Sequence, residues 1–95
     1  MKNKANTIKQ AIDQFIDHYN LRYKFDERQI VEAWEEIAGK MICKHTTNLY
    51  LKDKKLHVEV RSSVAKQELL FIKSRLIKHI NKKLNKEVTD EIIVH

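Results

Sequence analysis

The sequence predicts a small α+β domain, with helices packed on a three-stranded sheet in the order helix-helix-strand-strand-helix-strand. Three observations carry this expectation. An amphipathic stretch without Gly or Pro runs from Ser62 to Lys86. Before it, Asn48–Leu51 and Leu56–Val60 alternate apolar and polar residues on either side of a polar segment, Lys52–Lys55. After it, Val88, Ile92, Ile93 and Val94 form a short apolar run.

The 95 residues suit one domain, residues 1–95, with a single thin core. Hydrophobic residues make up 42% and charged residues 34%, the balance of a soluble globular chain. One Cys, Cys43, allows no internal disulfide and suits a reducing compartment. No apolar run approaches the roughly 18 residues of a membrane span, and the N-terminus lacks a signal-peptide core, so a cytoplasmic protein is expected. The formal net charge is +6, unevenly spread. Residues 46–86 hold eleven Lys/Arg against three acids, whereas residues 87–95 hold three acids and no Lys/Arg. The positive field therefore concentrates on the hairpin and the long helix. Such a field suits nucleic acid or an acidic protein surface. The bland alternative is a Lys-rich solvated face.

Taken in order, Met1–Asn6 reads as a frayed tail. Thr7-Ile8-Lys9-Gln10 fits a capping box, and Ile8, Ala11, Ile12, Phe15, Ile16 and Tyr19 form a narrow stripe. The first helix is therefore placed at Thr7–Tyr19, with Asn20 ending it. Its stripe is expected to dock on the rest of the domain. Leu21–Phe25 reads as a connector. Asp26 then suits an N-cap, with Phe25 and Ile30 as a hydrophobic staple. Ile30, Val31, Trp34, Ile37, Ala38, Met41 and Ile42 share one face, giving a second helix over Glu27–Cys43. Gly39 interrupts it, either as a bend or for close approach of another backbone. Trp34 is expected to anchor the core.

A turn centred on Asp53-Lys54 sets Leu51 opposite Leu56 and Leu49 opposite Val58. Thr47, Leu49, Leu51, Leu56, Val58 and Val60 then share the core face, with Tyr50, His57 and Glu59 pointing the other way. In the long helix, Ser62 or Ser63 suits the N-cap. Ala65, Leu69, Ile72, Leu76, Ile80 and Leu84 fall at helical spacing, and Leu70 and Ile77 widen the stripe. Asn85-Lys86 closes the helix. The last apolar run is the third strand, parallel to the second if both share one sheet. The expected core includes Trp34, Ile37, Leu49, Leu56, Val58, Val60, Leu69, Ile72, Leu76 and Ile80. No element obviously covers the second face of the sheet.

The chemistry-bearing residues give little support to an enzyme. Cys43-x-His45 is the one close pair of soft ligands, far short of a zinc set, so no metal and no cofactor are expected. Cys43 fits a buried small hydrophobe better than a nucleophile, and no elbow accompanies Cys43/His45 or Ser62/His57. Glu35 and Glu36 are adjacent on a helix and diverge. There is no Walker loop and no dinucleotide fingerprint. The chain would act by binding. For nucleic acid, Lys52, Lys54 and Lys55 crowd the hairpin turn, and Arg75, Lys78 and Lys82 crowd one helical face that Lys83 and Lys86 extend. Phe71 lies on that face, with Val64 one heptad before it, and an exposed aromatic beside cations stacks bases. The competing expectation is that the first helix packs there and buries both. Lys66 and Lys73 project within the apolar arc and are expected to snorkel out.

Trp34, Gly39, His45-Thr46, Leu51, Leu56-x-Val58-x-Val60, Ser62-Ser63 and Glu68-Leu69 together resemble the DciA family of bacterial helicase loaders, formerly domain-of-unknown-function family 721. The resemblance covers Phe25 to the C-terminus and looks like a member consisting of the domain alone. It implies a KH-like fold, binding to the hexameric DnaB-type replicative helicase, and contact with DNA. Two positions depart from the family pattern: Val64 stands where many members have a second Trp, and Lys54 where a turn Gly is usual. With Gly39 alone, the Gly-x-x-Gly clamp of classical KH domains is ruled out here. The resemblance implies a non-enzymatic loader binding the replicative helicase and, more weakly, single-stranded DNA. The alternatives are a KH-like RNA- or DNA-binding protein with no helicase partner, and a domain that pairs through the open sheet face around Tyr50 and His57.

Overall fold

The computed structural model describes residues 4–18 and 21–95. It contains α1 (Lys4–His18), α2 (Arg22–Glu32), α3 (Trp34–Ala38), α4 (Lys40–His45), β1 (Thr46–Lys52), β2 (Lys55–Val60), α5 (Ser63–Leu84) and β3 (Glu91–Val94). The sheet order is β1-β2-β3. The central strand β2 pairs antiparallel with β1 and parallel with β3. This is the α+β order the sequence predicts.

The core lies between one sheet face and the helices. Leu51, Leu56, Val58, Val60 and Ile92 meet Ala65, Leu69, Leu76 and Ile80 of α5, with Ile30, Trp34, Ile37 and Ile42 closing the other side. Leu49 and Ile72 pack on its margin. Each fully buried Leu or Ile contributes roughly 1.5–3 kcal/mol. Trp34 is buried, and its indole Nε1 donates to Thr46 Oγ1 at 3.0 Å. The anchor thus satisfies its one polar atom.

The hairpin register is the expected one, with Leu51 opposite Leu56 and Leu49 opposite Val58. Asp53 and Lys54 both take positive φ, 51° and 63°. That is the type I′ requirement, which matches the right-handed twist of the strands. Thr47 does not join the core face. A bulge between Thr46 and Asn48 pairs Thr46 with Val60 and leaves Thr47 exposed.

The helical half differs from the sequence reading at several points. α1 begins at Lys4, before the Thr7 cap. Tyr19 and Asn20, where its end was expected, lie outside the described residues. Its stripe is not buried as expected: Ile8, Ile12 and Phe15 are exposed. Leu21–Phe25 is not a connector, because α2 already starts at Arg22. Asp26 is therefore inside a helix and buried, not an N-cap. Its Oδ1 lies 2.8 Å from Lys86 Nζ. The angles there do not make a hydrogen bond, but charge attraction at that distance needs no such alignment. Phe25, the expected staple, is exposed. The single helix of Glu27–Cys43 is interrupted at Ala33 and again at Gly39. Gly39 has φ 92° and ψ 162°, a region open essentially to Gly alone. A Cβ there would meet nothing within 4 Å, so the glycine serves a bend and not a close approach.

α5 starts at its expected cap, where Ala65 N donates to Ser62 Oγ at 3.2 Å. It ends with Asn85 in the left-handed conformation. Beyond it, Asn81 clamps the path into β3. Its Oδ1 accepts from Val88 N and Thr89 N, and its Nδ2 donates to Thr89 O. Asp90 N donates to Lys54 O at 3.0 Å, tying the hairpin tip to the entry of β3.

Candidate nucleic-acid interface

At about 100° per residue, Val64, Phe71, Arg75, Lys78 and Lys82 fall within an arc of roughly 60° on α5. The arc faces away from Ala65, Leu69, Leu76 and Ile80, which are buried against the sheet. All five outward residues are exposed, Phe71 at 88% and Val64 at 71%. α1 does not cover them, and that settles the competing expectation for this face. With a rise of 1.5 Å per residue the stripe is about 27 Å long.

The stripe is divided along its length. Val64 and Phe71 line a shallow depression of about 520 Å³ with Ser63, Gln67 and Glu68. Arg75, Lys78 and Lys82 line another of about 580 Å³ with His79 and Lys83. Among the described residues, Arg75, Lys78 and Lys82 make no ion pair. Lys83 and Lys86 do not extend this free charge. Lys83 Nζ lies 2.9 Å from Glu36 Oε2, and Lys86 pairs with Asp26. Lys83 holds the Glu36 carboxyl below its ordinary value, by hydrogen bonding first and charge second. Lys83 fastens α5 to α3, and Lys86 fastens the segment just past α5 to α2. Lys66 and Lys73 are half-buried, as snorkelling requires, and Leu70 is exposed, which narrows the apolar arc.

The hairpin lysines belong elsewhere. Leu51 and Leu56 face α5, so the next pair, Lys52 and Lys55, points to the opposite face of the sheet. Lys52 and Lys54 line a depression of about 570 Å³ at the β1 edge, shared with Tyr23, Lys24, Glu27 and Tyr50. Sequence reasoning missed Tyr23 and Lys24, because their segment read as a connector. The helical spacing of Arg22, Asp26 and Ile30 was the available signal, masked by two charged residues on an inner face. Glu27 Oε2 accepts from Leu51 N at 2.9 Å, so one exposed edge amide of β1 is already capped.

The uncovered sheet face carries a ring stack. Tyr50 lies on His57 with centroids 4.6 Å apart and planes 2° from parallel. His57 lies on His95 at 5.2 Å and 8°. His57 Nδ1 and His95 Nε2 are 2.9 Å apart, so one ring donates to the other. Burial in this stack, then the charges of His95, Lys52 and Lys55, hold His57 below its ordinary value, with Glu91 opposing.

Fold and surfaces together define a small α+β domain with two separate basic patches. The family model described as "Dna[CI] antecedent, DciA" matches residues 7–94. The chain belongs to the DciA family. None of the curated proteins matches it. Among the described residues, no helix is long and apolar enough to cross a membrane.

Proposed function

We propose that this chain is a non-enzymatic DNA-replication protein that binds the DnaB-type replicative helicase and helps load it, holding DNA weakly as it does so. The observation that carries this reading is the family match across residues 7–94. The family is one of helicase loaders without catalysis, and the three-stranded mixed sheet is compatible with the KH-like arrangement it implies. The whole of residues 1–95 acts as one domain, in the cytoplasm where the helicase works. Phe71, Arg75, Lys78 and Lys82 hold DNA on the outer face of α5, and Lys52, Lys54 and Lys55 hold it at the hairpin. The exposure and free charge of the α5 face support this assignment.

Mixing the purified chain with the replicative helicase of its own organism tests the partner. A complex of defined mass is expected on size-exclusion chromatography. Its absence, with and without nucleotide, would refute the loader reading. If oligonucleotide binding survives that failure, a nucleic-acid-binding protein without a helicase partner is the better description. Reversing Arg75, Lys78 and Lys82 to Glu tests the DNA face. The variant is expected to lose the α5 share of the binding and about three units of the salt slope, leaving what the hairpin side holds.

A further inference from the structure

The depression at the β1 edge has three features that no surface elsewhere on the described residues combines. The first is a pair of part-exposed tyrosines, Tyr23 at 43% and Tyr50 at 37%. The second is charge. Lys24, Lys52 and Lys54 stand against Glu27 and Asp53, and the Glu27 carboxylate is engaged by the Leu51 amide. The third is rigidity. Tyr50 is not a loose aromatic, because its ring is the β1 end of the three-ring stack through His57 to His95. His95 is itself fixed by backbone bonds, His95 N to Val58 O at 2.8 Å and Val60 N to His95 O at 3.2 Å.

A flat ring held in place at the end of a stack, beside a second ring and three cations, suits one kind of ligand. A nucleobase presents a π-face to an aromatic ring, and the flanking phosphates present negative charge to the lysines. Glu27 and Asp53 disfavour a dense anion such as a triphosphate, whereas a diester strand carries one charge per nucleotide. We propose that this depression binds a single-stranded nucleic acid, one base extending the Tyr50–His57–His95 stack and the adjoining phosphates lying on Lys24, Lys52 and Lys54. The site deepens the reading of the chain as a DNA-contacting loader and rests on it for the nucleic acid. It is separate from the α5 face, because the two line different depressions and Lys52 points away from α5.

The test is an equilibrium titration of labelled (dT)12 and (U)12 by anisotropy, with amide chemical shifts recorded in parallel. Tyr50→Leu and Tyr23→Leu are each expected to weaken binding about fivefold or more. Lys24→Gln is expected to lower the salt slope by about one. Amide shifts should centre on Tyr23, Tyr50 and Lys52. Tyr23 sits on an exposed helix position, so its variant remains informative even if Tyr50→Leu fails to fold. Unchanged affinity in folded Tyr23→Leu and Tyr50→Leu, with loss in the Arg75/Lys78/Lys82 reversal, overturns this site and leaves the α5 face standing. Binding of neither oligonucleotide by the wild type overturns both nucleic-acid assignments, while the helicase complex is judged by its own experiment. Preference between the two oligonucleotides reports whether the site takes the DNA or the RNA strand, and tyrosine-dependent binding of either one supports the proposal.

Discussion

Gly39 shows how much one residue decides in this fold. Its φ of 92° and ψ of 162° separate α3 from α4 and redirect the chain so that Ile42 joins the core beside Ile37. The open space around it means that Gly39→Ala tests backbone conformation alone. The substitution is expected to cost about 1–3 kcal/mol in chemical unfolding, the cost of a side chain in that region. His57 offers a second test. Its folded-state value lies below the ordinary 6.5. The unfolded chain therefore binds the proton more readily, and stability is full above about pH 6.5 and falls as the pH drops through that value toward the folded one. A melting series over this range should show the decline, and His57→Phe, which keeps a ring in the stack, should reduce it. Asp26 marks where reading by sequence stops. Asp-Glu-Arg-Gln is a capping pattern, but an Asp also serves in a part-buried ion pair. The partner, Lys86, lies just past the C-terminal cap of α5, sixty residues on, and leaves no local trace.

The hairpin is the element most fully written in the chain. Alternation fixes which residues face α5, and a two-residue turn then allows one register, so Leu51–Leu56 and Leu49–Val58 were legible before any coordinates. The bulge at Thr47 was not, since the run Thr46-Thr47-Asn48 carries no turn residue to announce it. The turn itself holds Lys54 at φ 63°, where a Cβ is disfavoured. Lys54→Gly is expected to raise stability by about 0.5–1 kcal/mol in chemical unfolding. The same change removes a cation from the β1-edge site, so stability and oligonucleotide affinity should move in opposite directions. α1 makes the complementary point. Its stripe was legible as a face, but an amphipathic pattern does not say what the face meets. In the structure Ile8 and Ile12 meet solvent, and Arg22 ties α1 to α2 through Asp17 at 3.1 Å and Asp13 at 3.6 Å.

Across the whole molecule, the sheet separates what the sequence seemed to unite. The basic residues of α5 could be grouped by helical arithmetic, and that grouping holds for Arg75, Lys78 and Lys82. Joining them to the hairpin lysines required knowing which sheet face α5 covers, and alternation puts Lys52 and Lys55 on the other one. The domain thus offers two distinct basic surfaces, on opposite sides of a thin core. In the proposed loader reading, both surfaces hold DNA, so a strand can be engaged on two sides of the domain. The decisive measurement is the occupancy of the replicative helicase on a closed single-stranded DNA circle, with and without this chain. A circle has no end for a preformed ring to thread, so spontaneous occupancy is low. The loader account expects occupancy to rise with added chain and the rise to disappear when both basic surfaces are reversed. Occupancy that stays the same at saturating chain would contradict it.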